Sequence, residues 1–225
     1  MKKRILITGG TGTFGKAFVK YAIKKNDIEK VFIYSRDEMK QWNMHKNLMN
    51  QSKKIRYIIG DVRDLSRLNS VIRDNKINYI VHAAATKIVL SAELNPEECI
   101  KTNILGAMNI IEAAKSNNVN KVIALSTDKA SSPINLYGST KLASDKLFIS
   151  ANNNNCGPTT FSVVRYGNVM GSRGSVIPFF LSLNKDKRFP ITDTAMTRFM
   201  ISIDNAIDLV FEVINTSVGG EIFVP

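Results

Sequence analysis

The sequence predicts an α/β protein with a doubly wound parallel sheet, and two observations support this fold class. Short apolar runs that are typical of buried strands alternate with segments of helical periodicity over residues 1–166. Such alternation produces a parallel sheet with helices on both faces. In addition, the first apolar run, Ile5–Ile7, leads into glycines at positions 9, 12 and 15 and then into a helical pattern. We therefore expect the chain to open with a strand, a tight turn and a helix.

The remaining elements follow in chain order. Further strands are predicted at 31–34, 55–59, 79–81, 122–125 and 161–166, and helices near 37–49, 64–74, 96–116 and 136–151. After residue 166 the pattern loosens into a loop at 167–174, a short helix at 175–183, a strand-like run at 188–191, a helix at 204–214 and a strand at 221–224. We therefore divide the chain into a main domain, 1–166, and a small lobe, 167–225.

The glycine turn predicts a nucleotide site. Glycine lets the backbone approach a pyrophosphate closely and lets the helix pack on the strand. The start of the helix offers free N–H groups and a positive dipole end to phosphates. A glycine triplet alone is often only a loop, but its place between a strand and a helix favours a Rossmann-type dinucleotide site. The residues expected to hold the dinucleotide here are Gly9, Thr11, Gly12, Thr13, Phe14 and Gly15.

The end of the second predicted strand bears on which dinucleotide fits. NAD sites place an acidic residue about 20 residues beyond the glycines, where it holds a ribose 2′-hydroxyl. Here Ser35 and Arg36 stand at that distance, Asp37 follows them, and Lys40 lies one turn on. A hydroxyl and cations suit a 2′-phosphate, so we expect NADP; the alternative is that Arg36 caps the sheet edge. Asp61, after the third strand, either lies near the adenine or caps the next helix.

Composition argues against several classes of protein. The net charge is +12, from 31 basic and 19 acidic residues, but no basic run is interleaved with aromatic residues, so we expect no nucleic-acid partner. No apolar run approaches the roughly 18 residues of a membrane span, and the first residues lead into a strand instead of a signal peptide. Cys99 and Cys156 lack metal-type spacing. We therefore expect a reduced, cytoplasmic protein without a metal site.

A tyrosine and a lysine four residues apart indicate proton chemistry. Tyr137 and Lys141 share one face of the helix predicted after the fifth strand. A free phenol has a pKa of about 10 and is a poor base at neutral pH. An ammonium about 4 Å away is worth roughly 4 kcal/mol at an effective dielectric constant near 20, so we expect Lys141 to lower the pKa of Tyr137 by as much as about three units. Lys141 also suits the nicotinamide ribose; the alternative is an ordinary surface pair.

Together with these motifs, the run Thr127-Asp128-Lys129 makes the sequence resemble the extended short-chain dehydrogenase/reductase family. Within it, the sequence is similar to the inverting UDP-N-acetylglucosamine 4,6-dehydratases, over essentially the whole chain. The run at 127–129 is the narrow signal, because dTDP-glucose 4,6-dehydratases have Thr-Asp-Glu there and simple 4-epimerases usually have hydroxyl residues. Retaining relatives typically have Met at the place of Tyr137, which therefore points to the inverting branch. The other matching segments are 34–38, 60–64, 95–96, 101–103, 164–169, 172–178 and 196–199.

The resemblance implies dehydration of UDP-N-acetylglucosamine with inversion at C5, for surface glycan synthesis, with NADP as hydride carrier. In this reading Tyr137 takes the proton of the C4 hydroxyl, and Thr127 hydrogen-bonds the C4 oxyanion. Asp128 acts as the acid at O6 and Lys129 takes part at C5, although the division of work between these two stays open. Relatives are homo-oligomers, so we expect one here.

The resemblance also implies the remaining ligand contacts. The dinucleotide is expected to contact Val62, Ala83, Ala84, Ala85, Lys87 and Asn103 as well. The sugar nucleotide is expected to contact Lys87, with Asn168, Arg173 and Arg198 at the diphosphate and Val176 and Pro178 at the uracil. For Arg198 the alternative is an ion pair with Asp193.

Two departures from the family pattern leave alternatives open. The relatives' Leu-Lys-His-Val-Pro is replaced by 86–90, Thr-Lys-Ile-Val-Leu. Relatives also continue beyond the place of Pro225 with a segment that helps to wall the nucleotide site. We therefore expect a fragment with a truncated substrate lobe, or a protein with an open substrate site. The alternative functions are a UDP-sugar 4-epimerase, in which Asp128 and Lys129 have no part, and a catalytically silent NADP-binding protein.

Overall fold

The computed structural model describes residues 2–153, 157–183, 188–191 and 193–225, without the side chains of 50–52. Its strands are β1 (Lys3–Thr8), β2 (Ile28–Ser35), β3 (Ile55–Ile59), β4 (Tyr79–His82), β5 (Lys121–Thr127), β6 (Thr160–Tyr166), β7 (Asn168–Val169), β8 (Met200–Ile201) and β9 (Ile222–Phe223). In the described ranges, seven of them form one sheet in the order β3-β2-β1-β4-β5-β6-β9, with every neighbouring pair parallel. The strands β7 and β8 pair with each other.

The helices alternate with these strands. They are α1 (Thr13–Ala22), α2 (Glu38–Asn47), α3 (Leu65–Asp74), α4 (Val89–Leu94), α5 (Pro96–Ile100), α6 (Gly106–Ser116), α7 (Leu136–Ser150), α8 (Val176–Ser182) and α9 (Ile203–Thr216). A π-helical turn, Lys101–Leu105, joins α5 to α6. None of the helices in the described ranges has both the length and the apolar character that crossing a bilayer requires.

Two apolar layers hold the helices on the sheet. Successive side chains of a strand point to opposite faces, so Ile5 and Ile7 pack in one layer with Phe18 and Val210, whereas Leu6 packs in the other. Helices α1, α2 and α9 contribute to the first layer, and α3, α6 and α7 to the second. This two-faced burial explains the continuous apolar runs of the central strands, and it confirms the predicted doubly wound parallel fold.

The strand order reverses between β1 and β4, since the chain winds outwards from β1 in both directions. Ligands of open parallel sheets bind beyond the carboxyl ends of the strands at such a reversal. The segments after β1, β2, β3, β4, β5 and β6 therefore meet at one edge.

Some predicted elements differ from the structure. Residues 188–191 form no strand; instead the Phe189 ring packs on that of Phe180, with centroids 4.9 Å apart. Helix α4 and the short strands β7 and β8 were not predicted, and the helix expected at 96–116 contains the π-helical turn.

The last part of the predicted lobe joins the main sheet. Strand β9 pairs with β6, and α9 packs against α1. The division of the chain at residue 166 stays a prediction. Cys99 is a buried free thiol, and Cys156 lies outside the described residues.

Candidate active site

A cleft of about 590 Å³ runs along the carboxyl ends of the parallel strands. It is lined by every predicted dinucleotide-binding residue except Asn103. Of the predicted catalytic residues, Thr127, Lys129, Tyr137 and Lys141 line it, and Asp128 is hydrogen-bonded to Lys129 beside it. The topology thus brings together residues that are more than 120 positions apart in the sequence.

The glycine turn fits a pyrophosphate. Gly9 has a φ of +64°, and a Cβ there would lie 2.9 Å from the carbonyl oxygen of Ala83. A Cβ on Gly15 would lie 2.5 Å from the backbone of Gly10. Helix α1 follows Gly12, and no side chain among the described residues caps its first N–H groups. Those donors and the positive helix end are therefore available to an anion, as the glycine spacing predicts.

The edge beyond β2 carries cations. The carboxylate of Asp37 accepts the backbone N–H of Lys40 at 2.9 Å, caps α2 and pairs with the Lys40 ammonium. These bonds hold the pKa of Asp37 below its ordinary value. Arg36, whose side chain is 59% exposed, lies 3.6 Å from Asp61. Both carboxylate oxygens of Asp37 therefore serve the start of α2 and the Lys40 ammonium.

Asp61 closes a turn with Arg63 instead of capping α3. Its carboxylate accepts the Arg63 backbone N–H at 3.0 Å and the guanidinium at 2.7 and 2.9 Å. Burial raises the pKa of Asp61, but these bonds bring it below its ordinary value. The residue that caps α3 is Asp64, which accepts the N–H of Arg67 at 2.8 Å. The capping alternative for Asp61 is therefore wrong, because α3 begins at Leu65, four residues after Asp61.

Tyr137 and Lys141 lie one turn apart on α7, whose first turn is capped by Asn135. Burial raises the pKa of Tyr137 to about 12, although a hydrogen bond with Thr127 lowers it. Lys141 is 3% exposed, and burial lowers its pKa. The expectation that Lys141 lowers the pKa of the phenol is wrong for this structure. Burial of the phenol raises its pKa more than the Thr127 hydroxyl lowers it. The charge of Lys141 interacts with another residue.

That partner is Asp145, which the sequence interpretation missed. Asp145 is 1% exposed, lies a further turn along α7, and raises the pKa of Lys141 against the effect of burial. Its Oδ2 accepts the Ser126 hydroxyl and the Arg165 guanidinium, each at 2.8 Å. Lys141 and Asp145 are four residues apart, which on a helix is the spacing of an interacting pair.

His82, at the end of β4, is another buried polar residue close to Lys141. It is 1% exposed, and its Nδ1 lies 2.8 Å from the Thr8 hydroxyl. Burial, helped by the charge of Lys141, lowers the pKa of His82 to about 3. The imidazole is therefore neutral in the folded protein at physiological pH.

The run 127–129 forms a tight turn at the end of β5. Asp128 Oδ1 accepts the Thr127 hydroxyl at 2.8 Å and the Lys129 ammonium at 3.0 Å. Burial raises the pKa of Asp128, but these bonds take it below its ordinary value. Lys129 also donates to Asn168 Oδ1 at 2.9 Å. The ammonium, the carboxylate and the hydroxyl are therefore hydrogen-bonded to one another, and the Thr127 hydroxyl acts on the pKa of the neighbouring Tyr137 phenol.

Asn103 lies behind the cleft wall instead of lining it. Its side chain accepts the backbone N–H of Thr86 at 2.8 Å and donates to the Thr86 carbonyl at 3.0 Å. It also donates to the Thr140 hydroxyl on α7 at 3.0 Å. Asn103 therefore ties the loop after β4 to the helix that carries Tyr137.

Lys87 and Arg173 are two cations of the cleft lining that interact electrostatically. Both line the cleft, and burial together with the Arg173 charge lowers the pKa of Lys87. The backbone N–H of Arg173 donates to the Thr13 hydroxyl at 3.2 Å. The loop containing Arg173 therefore reaches the phosphate-binding turn, where a second anionic group would meet both cations.

Three predicted substrate residues do not line the cleft in this structure: Val176, Pro178 and Arg198. The Arg198 guanidinium donates to the Thr197 carbonyl oxygen at 2.6 Å. Within the described residues Arg198 makes no ion pair with Asp193, so that alternative is wrong.

The fold and the site together define a class of protein. The sheet order, the glycine turn after β1 and a Tyr–Lys pair on the helix after β5 are those of an extended short-chain dehydrogenase/reductase. The chain belongs to the polysaccharide biosynthesis protein family, whose sequence profile matches residues 5–225.

Individual relatives agree with this assignment. An inverting UDP-N-acetylglucosamine 4,6-dehydratase from Campylobacter jejuni (strain 81-176) is 55% identical over 99% of this chain and 66% of its own length. A UDP-glucose 4-epimerase from Rickettsia bellii (strain OSU 85-389) is 46% identical over 99% of this chain and 65% of its own. The crystal structure of Pen from Bacillus thuringiensis matches with a TM-score of 0.94 and 40% identity, over 99% of this chain and 70% of that one. The chain spans about two thirds of the length of the curated relatives.

Proposed function

We propose that the protein is an NADP-dependent UDP-N-acetylglucosamine 4,6-dehydratase that inverts C5, within surface glycan synthesis. The observation that supports this most is the hydrogen-bonded group of Lys129, Asp128 and Thr127, which lies with Tyr137 at the same cleft as the glycine turn. The 55% identity to an inverting dehydratase agrees with it. A cytoplasmic location and assembly into a homo-oligomer are part of the proposal.

The cleft residues fit a dinucleotide with a 2′-phosphate. The glycine turn suits the pyrophosphate, Lys141 suits the nicotinamide ribose, and Ser35 and Arg36 in the cleft lining after β2 suit a 2′-phosphate. When bound, an oxidised nicotinamide dinucleotide accepts a hydride from the sugar and later returns it, and its positive charge favours an ionised phenol nearby. The capping role of Asp37 supports NADP over NAD, because both of its carboxylate oxygens are already engaged by the N–H and the ammonium of Lys40.

Tyr137 starts the reaction by taking the proton of the C4 hydroxyl as C4 is oxidised. Its phenol must be ionised for this step, and a pKa of about 12 makes that form rare without added positive charge. Thr127 turns its hydroxyl, which bonds Asp128 in this structure, towards the oxygen that develops charge at C4 and donates a hydrogen bond to it. The new C4 ketone makes the C5 hydrogen acidic, because the carbanion left behind is an enolate.

Asp128 and Lys129 divide the elimination between them. The lowered pKa of Asp128 keeps it ionised, so it first takes the C5 proton and then gives it to the departing C6 hydroxyl. Once a hydride has reached C6, Lys129 protonates C5 from the opposite face, which inverts that centre. The protons balance, since Tyr137 gains one and Lys129 loses one. Exchange with solvent resets both groups before the next turnover.

The proposal is tested by product analysis in deuterated water. The folded chain, saturated with NADP⁺, is expected to convert UDP-N-acetylglucosamine to a 4-keto-6-deoxy sugar nucleotide with one deuterium at C5, read by mass spectrometry and NMR. Lys129→Met is expected to abolish C5 labelling while the dissociation constant for NADP⁺ stays unchanged. Lys146→Met, an exposed lysine on α7, is the matched control.

Two outcomes contradict the proposal. A product that keeps its C6 hydroxyl identifies an epimerase. No product from a chain that is folded and binds NADP⁺ identifies a silent dinucleotide-binding protein.

A further inference from the structure

A buried glutamine stands behind the edge where the adenosine ribose belongs. Gln41, on the first turns of α2, is 6% exposed. Its amide nitrogen lies within hydrogen-bond distance of three oxygens: the backbone oxygen of Ser35 at 2.9 Å, the hydroxyl of Ser35 at 3.0 Å and the backbone oxygen of Ile58 at 2.9 Å. One side chain therefore fastens the carboxyl ends of β2 and β3 and contacts the Ser35 side chain as well.

The two backbone oxygens fix the direction of every bond in this group. A carbonyl oxygen only accepts, so the amide nitrogen of Gln41 must face both carbonyls. The amide nitrogen has two N–H groups and accepts no hydrogen bond, so the Ser35 hydroxyl oxygen shares an N–H with one of the carbonyls and cannot donate its own proton to Gln41. The proton of that hydroxyl must then point elsewhere, and it finds no acceptor among the described residues. Since Ser35 lines the cleft, its O–H is left as a donor to a ligand there.

A preset donor at this edge favours a phosphate. Phosphate oxygens accept hydrogen bonds, and Arg36 adds a cation next to Ser35. A ribose 2′-hydroxyl donates as well as accepts, whereas phosphate oxygens mainly accept, and NAD sites usually meet the hydroxyl with a carboxylate. Here the nearby carboxylate of Asp37 already caps α2. We propose that Gln41 is a positioning residue that turns the Ser35 hydroxyl towards a ribose 2′-phosphate and thereby sets the preference for NADP over NAD; this rests on the proposed cofactor.

Titration calorimetry with NADP⁺ and NAD⁺ tests the inference. The variants are Ser35→Ala, Gln41→Met and the double variant, with Asn43→Met on the exposed face of α2 as the matched control. Each single variant is expected to raise the dissociation constant for NADP⁺ about tenfold and to change that for NAD⁺ less than threefold. The double variant is expected to bind NADP⁺ no more than threefold weaker than either single one, because both remove the same donated bond. Adenosine 2′,5′-bisphosphate is expected to follow NADP⁺, and 5′-AMP to follow NAD⁺.

The possible failures are separable. If Gln41→Met weakens both dinucleotides equally, or if the two losses multiply to about a hundredfold, Gln41 only supports the backbone and the inference is overturned. Should Gln41→Met fail to fold, Ser35→Ala decides, since it keeps both carbonyl bonds of Gln41; unchanged NADP⁺ binding then refutes the donor role. If the wild-type protein itself binds NAD⁺ as tightly as NADP⁺, the proposed cofactor fails before any variant is made, and this inference falls with it.

Discussion

Acidification is expected to destabilise the fold through one buried imidazole. Burial and the Lys141 charge lower the pKa of His82 to about 3, whereas an unfolded histidine has a pKa of about 6.5. Below pH 6.5 the unfolded chain therefore binds a proton that the folded chain does not. The free energy of unfolding consequently decreases as the pH is lowered. The slope approaches about 1.4 kcal/mol per pH unit and persists down to about pH 3. Between pH 7 and pH 5 the expected loss from this one group is about 2 kcal/mol.

Urea unfolding at pH 7, 6 and 5, followed by circular dichroism, measures this loss. His82→Asn keeps a polar atom near the Thr8 hydroxyl but has nothing to protonate, so its unfolding free energy is expected to change about 2 kcal/mol less than that of the wild type over this range. His45→Asn removes the other of the two histidines and is expected to keep the wild-type loss. Equal pH dependence in the wild type and in His82→Asn would refute the argument that the buried imidazole is responsible.

Two further perturbations probe the cleft and its support. Asp145→Asn leaves the Lys141 and Arg165 charges uncompensated and is expected to lower the free energy of unfolding by about 3–5 kcal/mol, or Tm by roughly 6–20 °C, as measured by calorimetry. The control Glu97→Gln removes an exposed ion pair and is expected to leave Tm unchanged. Equal effects of the two substitutions would contradict the role of burial. Gly15→Ala places a Cβ 2.5 Å from backbone, so it is expected to cost about 1–3 kcal/mol and to abolish dinucleotide binding by titration; normal binding would show that the turn can relax.

The architecture was predictable because its signal is local and strong. The central strands are apolar on both faces, and the glycine spacing marks the first turn, so β1 to β6 lie within a few residues of their predicted bounds. The predicted dinucleotide residues meet at one edge for the same reason, since each follows a strand end.

What the sequence did not predict depends on contacts between distant residues. Helix α4 has only six residues and no side-chain cap, so no periodicity marks it. The strand expected at 188–191 was wrong, because Phe189 packs on the ring of Phe180 and Ile191 is exposed instead of pairing in a sheet. The pKa of Tyr137 was expected in the wrong direction because spacing identifies neighbours but gives no measure of burial. The hydrogen-bond partners of Asp145 on α7 lie in two strands distant in sequence, Ser126 in β5 and Arg165 in β6.

The pairing of β9 with β6, and of α9 with α1, has a consequence for synthesis. The apolar surface of Phe18 in the first helix is covered by Phe211, with ring centroids 5.0 Å apart. A nascent chain must therefore carry that surface uncovered until α9 has left the ribosome. The contact between Phe18 and Phe211 joins residues nearly two hundred positions apart. Closing such a long loop costs conformational entropy before the contact can stabilise the fold, so folding is expected to be slow. Until then the uncovered aromatic surface is a natural target for chaperones that bind exposed apolar segments.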